Sequence, residues 1–150
     1  MKSKPLGMLV FFTSALAVVV GALIQNSSFA ILGVKPNLVL VVILAFGLLE
    51  KDWLKRSILV LRAIVTLIIE PVVSLETVFA TAIFFSALAL GDFLPWRDIA
   101  NSAFALVIGT LLININGFQL GIFFMEAAYN LSLFGLCILL FTLSGVKYSR

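Results

Sequence analysis

The residues with the most chemical potential in this chain sit in or beside apolar runs. Arg62 lies inside one run and Glu70 closes it, while Glu126 and Asn130 lie inside another. An ionisable group in a hydrophobic helix is costly, so it faces protein or water and tends to find a partner. Arg62 and Glu70 are eight residues apart with Thr66 midway, about 12 Å along a helix, so they do not pair within a straight helix. Arg62 has a stem long enough to snorkel toward the Arg56 end of its run, and Glu70 sits near the opposite end. Glu126 falls about seven residues into the last run, where it meets Glu70 or Glu76, or pairs with Arg62 across helices. Two readings stand for these side chains: interfacial groups, or a polar site within a helix bundle. A proton or ion path is a narrower form of the second.

Other chemistries lack their residues. There is no histidine, which removes the commonest metal ligand and the usual general base near neutral pH. The single cysteine, Cys137, has no partner for an intramolecular disulfide. No Ser/His/Asp set, Cys-x-x-Cys, phosphate-binding glycine loop or paired-carboxylate motif is present. The expectation is a non-enzyme without cofactor or metal. Asn114, Asn116 and Gln119 form an amide cluster that suits the end of a helix, or a ligand's hydrogen bonds. Asn26-Ser-Ser and Asn130-Leu-Ser match the glycosylation pattern. The second lies in an apolar run and reads as accidental, and the first matters only in a secreting eukaryote.

The elements that would position these groups follow from composition. The 150 residues are 63% hydrophobic and 11% charged, with mean hydropathy +1.23. A soluble domain carries about 25% charged residues, and one this small has too much surface to hide so much apolar area. The chain reads as an all-α integral membrane protein, one polytopic domain over 1–150, solvated by membrane lipids. Its net charge is +3, but the basic residues flank apolar runs and form no basic-aromatic patch, so topology explains them and nucleic acid does not.

Six runs suit six spans. The first, Pro5 to Ile24, has the length of a retained span rather than a signal peptide, although Ser28-Phe29-Ala30 loosely suits a cleavage site. Ala17 and Gly21 give a small-xxx-small spacing for close helix packing. Gly33 and Pro36 punctuate the chain, with Pro36 expected in the first turn of the second helix. That helix, Leu38 to Leu49, has 12 residues, about 18 Å against a hydrocarbon core of roughly 30 Å. It reads as a short span, with a tilted, partly buried or re-entrant segment as the alternative. A polar loop 50–56 follows, with Asp52 as N-cap and Trp53 at an interface. The remaining runs are Ser57 to Ile69, Ser74 to Leu90 (ended by Gly91), Ile99 to about Ile115, and Gln119 to Ser144. Six spans put Lys2, Lys4, Lys51, Lys55, Arg56, Arg97, Lys147 and Arg150 on one side and Lys35 alone on the other. The positive-inside rule makes both termini cytoplasmic.

Lys35-Pro36-Asn37-Leu38-Val39-Leu40-Val41-Val42-Ile43-Leu44 resembles the second-helix motif of MreD, the rod shape-determining membrane proteins of bacteria. In that family a basic or small residue, Pro, and Asn or Asp lead a leucine-rich helix after one span and a short external loop. The close resemblance covers about 15 residues with Pro36, Asn37 and Leu38 at its centre, and the general six-span plan covers the whole chain. The third run departs from the family, which has a glycine-rich helix ending in an aspartate; here it carries Arg62 and no glycine, with Glu70 and then Pro71 at its end. The resemblance implies a multi-pass protein of the bacterial plasma membrane that associates with MreC-like and other elongation-machinery proteins. It links the actin-like filament to peptidoglycan synthesis. Lys51, Lys55, Arg56 and Arg97, in the two cytoplasmic loops, would then face partners. The alternative is the substrate-binding membrane subunit of an energy-coupling-factor vitamin transporter. There Ala17 and Gly21 would serve docking, and Asn114, Asn116, Gln119 and Glu126 the ligand. A third reading is a small channel or carrier using Arg62 and Glu126.

Overall fold

The computed structural model describes residues 5–27, 30–67, 75–93 and 98–143. They form α1 (Pro5–Asn26), α2 (Leu38–Leu49), α3 (Trp53–Leu67), α4 (Leu75–Phe93), α5 (Asp98–Ile113), a short 3-10 helix (Ile115–Gly117) and α6 (Leu120–Leu143). No strand occurs among the described residues. One helix among them, α6, is long and apolar enough to cross a membrane by length and composition. Expectations about Glu70, Arg97, Ser74, the charged termini and the cleavage-like Ser28-Phe29 lie outside the described residues.

The architecture is five helices around one. Helix α2 packs against every other α-helix, while α1, α3, α4, α5 and α6 each touch their neighbours in that order. The sequence explains why α2 is inside. Its twelve residues, Leu-Val-Leu-Val-Val-Ile-Leu-Ala-Phe-Gly-Leu-Leu, carry no polar face, and a helix apolar all round belongs in a core. Val39, Leu40, Ile43, Leu44 and Phe46 are accordingly buried. Small residues let neighbours approach it. A Cβ on Gly21 of α1 would lie 3.2 Å from Leu38 Cβ, one on Gly109 of α5 2.9 Å from Leu40 Cδ2, and one on Gly47 of α2 itself 2.9 Å from Leu88 Cδ2 of α4. The ring stays open between α1 and α6, whose described backbones do not approach one another. A lateral groove of about 190 Å³ opens there, floored by Val42 and Ala45 of α2 and walled by Ser14 and Ala17 of α1 and Cys137 and Phe141 of α6.

Several boundaries differ from the expectations. Pro36 lies before α2 rather than in its first turn. Asn37 takes the N-cap, with non-helical φ −84° and ψ 78° and its side chain bonded to the Leu40 N–H. Asp52 caps α3 as expected, its Oδ1 accepting from Leu54 N at 2.9 Å, so the helix starts at Trp53 and takes in the end of the stretch read as loop 50–56. Gly91 does not stop α4, which continues to Phe93 with Asp92 held by Arg56 across the bundle. Between α1 and α2, Ile31 and Val34 exchange both backbone hydrogen bonds around Leu32 (φ 52°) and Gly33 (φ 81°). Glycine adopts that left-handed conformation freely and leucine does not.

Candidate functional site

The residues singled out in the sequence converge at the N-terminal end of α2. The Asn37 N–H donates to Asn130 Oδ1 of α6 at 2.7 Å. Asn130 Nδ2 donates to Thr110 Oγ1 of α5 at 2.9 Å, and the Thr110 hydroxyl donates to the Leu106 carbonyl one turn back. One turn on, Asn114 Nδ2 donates to the Thr110 carbonyl at 2.8 Å and to Glu126 Oε2 at 2.7 Å. Glu126 and Asn130 are four apart and so share a face of α6. Thr110 and Asn130 are fully buried, and Asn37 and Glu126 nearly so. The chain of bonds therefore fastens α2, α5 and α6 together. Asn130 lies ten residues past the start of α6, about 15 Å along it, so this polar cluster sits deep in the bundle.

Its chemistry is mutual satisfaction. A buried amide or hydroxyl without a partner costs about 1–3 kcal/mol, and here each of these donors meets an acceptor, within α5 for Thr110 and across helices for Asn37 and Asn130. No nucleophile–base pair is present in it. No group of three or more His, Cys, Asp or Glu side chains among the described residues gathers to hold a metal. The cluster also stands apart from the lateral groove, whose lining includes none of its members.

A second polar cluster closes the other end of α2. Arg56 is 2% exposed, although its place in a charged stretch suggested an accessible loop. Its guanidinium donates to the Gly47 and Glu50 carbonyls, which end α2, and to Asp92 Oδ2 of α4 at 2.6 Å. It also lies 5.7 Å from the Trp53 ring. The last carbonyls of a helix lack intrahelical partners and carry the negative end of its dipole, so a planar cation with several donors suits the position. Lys55 bonds Glu50, whose carboxylate holds the ammonium above its ordinary pKa. Lys51 pairs with Asp98 at 3.6 Å with both side chains about half exposed, a geometry worth little in stability. These pairs put residues 50–56, the end of α4 and the start of α5 at one end of the bundle.

The other expected residues fall elsewhere. Arg62 does not meet Glu126: α3 and α6 are not neighbours, Glu126 is bonded to Asn114, and Arg62 is exposed on the outer face of α3. Of the small-residue pair, Gly21 packs on Leu38 while Ala17 borders the groove. Asn114 turns inward, whereas Gln119 is exposed and uses its backbone carbonyl to accept from Phe123 N at 2.9 Å. The side chains of Glu76 and Asn116 are not among those described. Thr110 and Asp92 were missed. The signal for Thr110 was available: it stands four residues before Asn114 in an otherwise apolar run, so both fall on one helix face. Comparison with protein-family models, with curated proteins and with solved structures finds no match to this chain.

Proposed function

We propose that the protein is a six-span scaffold of the bacterial plasma membrane with both termini cytoplasmic. On this reading it holds elongation-machinery proteins together as MreD-like proteins do, and catalyses nothing. The membrane part rests on the outward surface. Leu16, Leu23, Leu54, Val65, Phe124, Leu139 and Leu143 all lie exposed around the bundle, an apolar area far larger than water-soluble monomers leave uncovered.

The observation that carries the scaffold reading is the bonding of the polar cluster. Asn37, the centre of the family-like stretch, is tied to Asn130 and only through it to Thr110, and Asn114 and Glu126 are tied to each other. A vitamin-binding subunit needs such groups turned into a cavity, with polar atoms free to fix a ligand's orientation. Here they lock helices, and the lateral groove, which none of them lines, is walled chiefly by apolar side chains. The test is genetic and biochemical. Depleting the protein in a rod-shaped host is expected to round the cells, and the protein is expected to co-purify with an MreC-like partner. Rods of normal shape combined with lost vitamin uptake refute the scaffold and favour the transporter subunit.

A further inference from the structure

The outer face of α3 is built like one half of a coiled coil. Leu54, Ile58, Leu61 and Val65 are spaced four, three and four residues apart, which is the d-a-d-a spacing of a helix–helix seam. All four are exposed, Leu54 at 69% and Val65 at 71%. On the opposite face Arg56, Leu59, Val60 and Ala63 are buried in the bundle. In the register the seam defines, Arg62 takes an e position, where interhelical ion pairs form. It is exposed, and no salt bridge among the described residues includes it. Arg62 is six residues beyond Arg56, about 9 Å along α3. Arg56 marks the C-terminal end of α2, and α2 is 12 residues long, about 18 Å. Arg62 therefore stands roughly halfway along the central helix.

We propose that this face docks a membrane-spanning helix of a different protein, carrying an Asp or Glu that pairs with Arg62. The proposal rests on the membrane reading above. In lipid at mid-depth a lone arginine is costly, and a carboxylate on a packed helix offsets that cost. Among the described residues, no acid of a second copy is placed to pair with Arg62. In a parallel pair of α3 helices Arg62 faces the g positions, Ser57 and Ile64; in an antiparallel pair it faces e positions, Lys55 or Arg62. The acids described elsewhere are no better placed. Glu50, Asp52, Asp92 and Asp98 lie at the Arg56 end, and Glu126 is buried in its own cluster.

The test uses the full chain in its own membranes, with a photo-crosslinking residue at Leu61. The expected product joins Leu61 to a transmembrane peptide containing Asp or Glu. Arg62→Glu is expected to lower its yield about tenfold or more, and a Glu→Arg or Asp→Arg change in that peptide is expected to restore it. Crosslinks to lipid alone, to a second copy alone, or to a protein whose capture ignores Arg62→Glu overturn the proposal. A parallel measurement isolates the membrane reading. In a Cys137→Ser background, Leu61→Cys is expected to resist a water-soluble thiol reagent in intact membranes. Rapid labelling refutes the span itself, whereas protection without a charge-dependent crosslink refutes only the docking.

Discussion

Replacing Asn130 by leucine removes the one side chain that joins α6 to both α2 and α5. Two hydrogen bonds go with it: Asn37 N–H to Oδ1, and Nδ2 to Thr110 Oγ1. The second is a side-chain bond between helices, a type that averages about 0.6 kcal/mol in membrane proteins. The first leaves a buried backbone N–H with no acceptor, which costs about 1–3 kcal/mol. Leucine keeps the branching of asparagine but is bulkier, so no cavity forms and any overpacking at this fully buried site adds to the loss. The sum is about 2–3 kcal/mol, a fall in Tm of about 5–10 °C for a domain of this length. The assay is thermal unfolding in mild detergent followed by circular dichroism. A double-mutant cycle with Thr110→Val separates bonding from packing. If the bond matters, the double variant is less destabilised than the two singles added together, by about 0.6 kcal/mol. An unchanged or raised Tm for Asn130→Leu, or strict additivity in the cycle, refutes the network as a fastening of the three helices.

At the other end of α2, Arg56→Ala leaves Asp92 and two helix-terminal carbonyls without their cation. Asp92 is partly exposed, so water replaces part of the lost contact and losing these charged hydrogen bonds costs about 1.5–3 kcal/mol; Arg56→Lys is expected to recover only part of it, since an ammonium cannot reach three acceptors with one planar fork. The same unfolding assay reads both variants, and a full rescue by lysine refutes the capping role. Leu32, 82% exposed at φ 52°, is the opposite case. Leu32→Gly removes a left-handed strain of about 1–2 kcal/mol and loses almost no packing, so Tm is expected to rise by a few degrees; a fall refutes the turn conformation.

The sequence made the helices and their order readable because six apolar runs were separated by charge, proline or amide residues. The apolar run Leu38 to Leu49 coincides with α2, although Pro36, expected in its first turn, lies before it. What it hid were long-range partners. Arg56, Lys55 and Lys51 looked alike as members of one charged stretch, yet only Arg56 turns inward. The difference comes from α3 starting at Trp53, which puts Arg56 on the helix face that also carries Leu59, Val60 and Ala63. Glu126 and Asn130 were visible as costly residues, but their partners, Asn114 and Thr110, sit on another helix in the best-packed part of the bundle. Arg62 had two readings, an interfacial snorkelling group or part of an interior polar site; its exposure on the face set by Leu54, Ile58, Leu61 and Val65 goes against the second.

The shortness of α2 follows from this arrangement. A helix of about 18 Å exposed to lipid would leave its terminal N–H and C=O groups in hydrocarbon, each unsatisfied group costing several kcal/mol. Alpha-2 avoids that because both ends are met by protein: Asn37 and Asn130 at the N-terminus, Arg56 at the C-terminus. On the membrane reading proposed above, bilayer thickness does not set its length; the distance between the two polar clusters does. Lengthening α2 by one turn would drive one cluster past its partners without improving any contact with lipid. Shortening it would pull Arg56 away from Gly47 and Glu50. The family-like Pro36-Asn37-Leu38 start is thus the point that fixes the register of α2 against α5 and α6. Through that register it also sets where α3, and the outer face bearing Arg62, stand relative to the rest of the bundle.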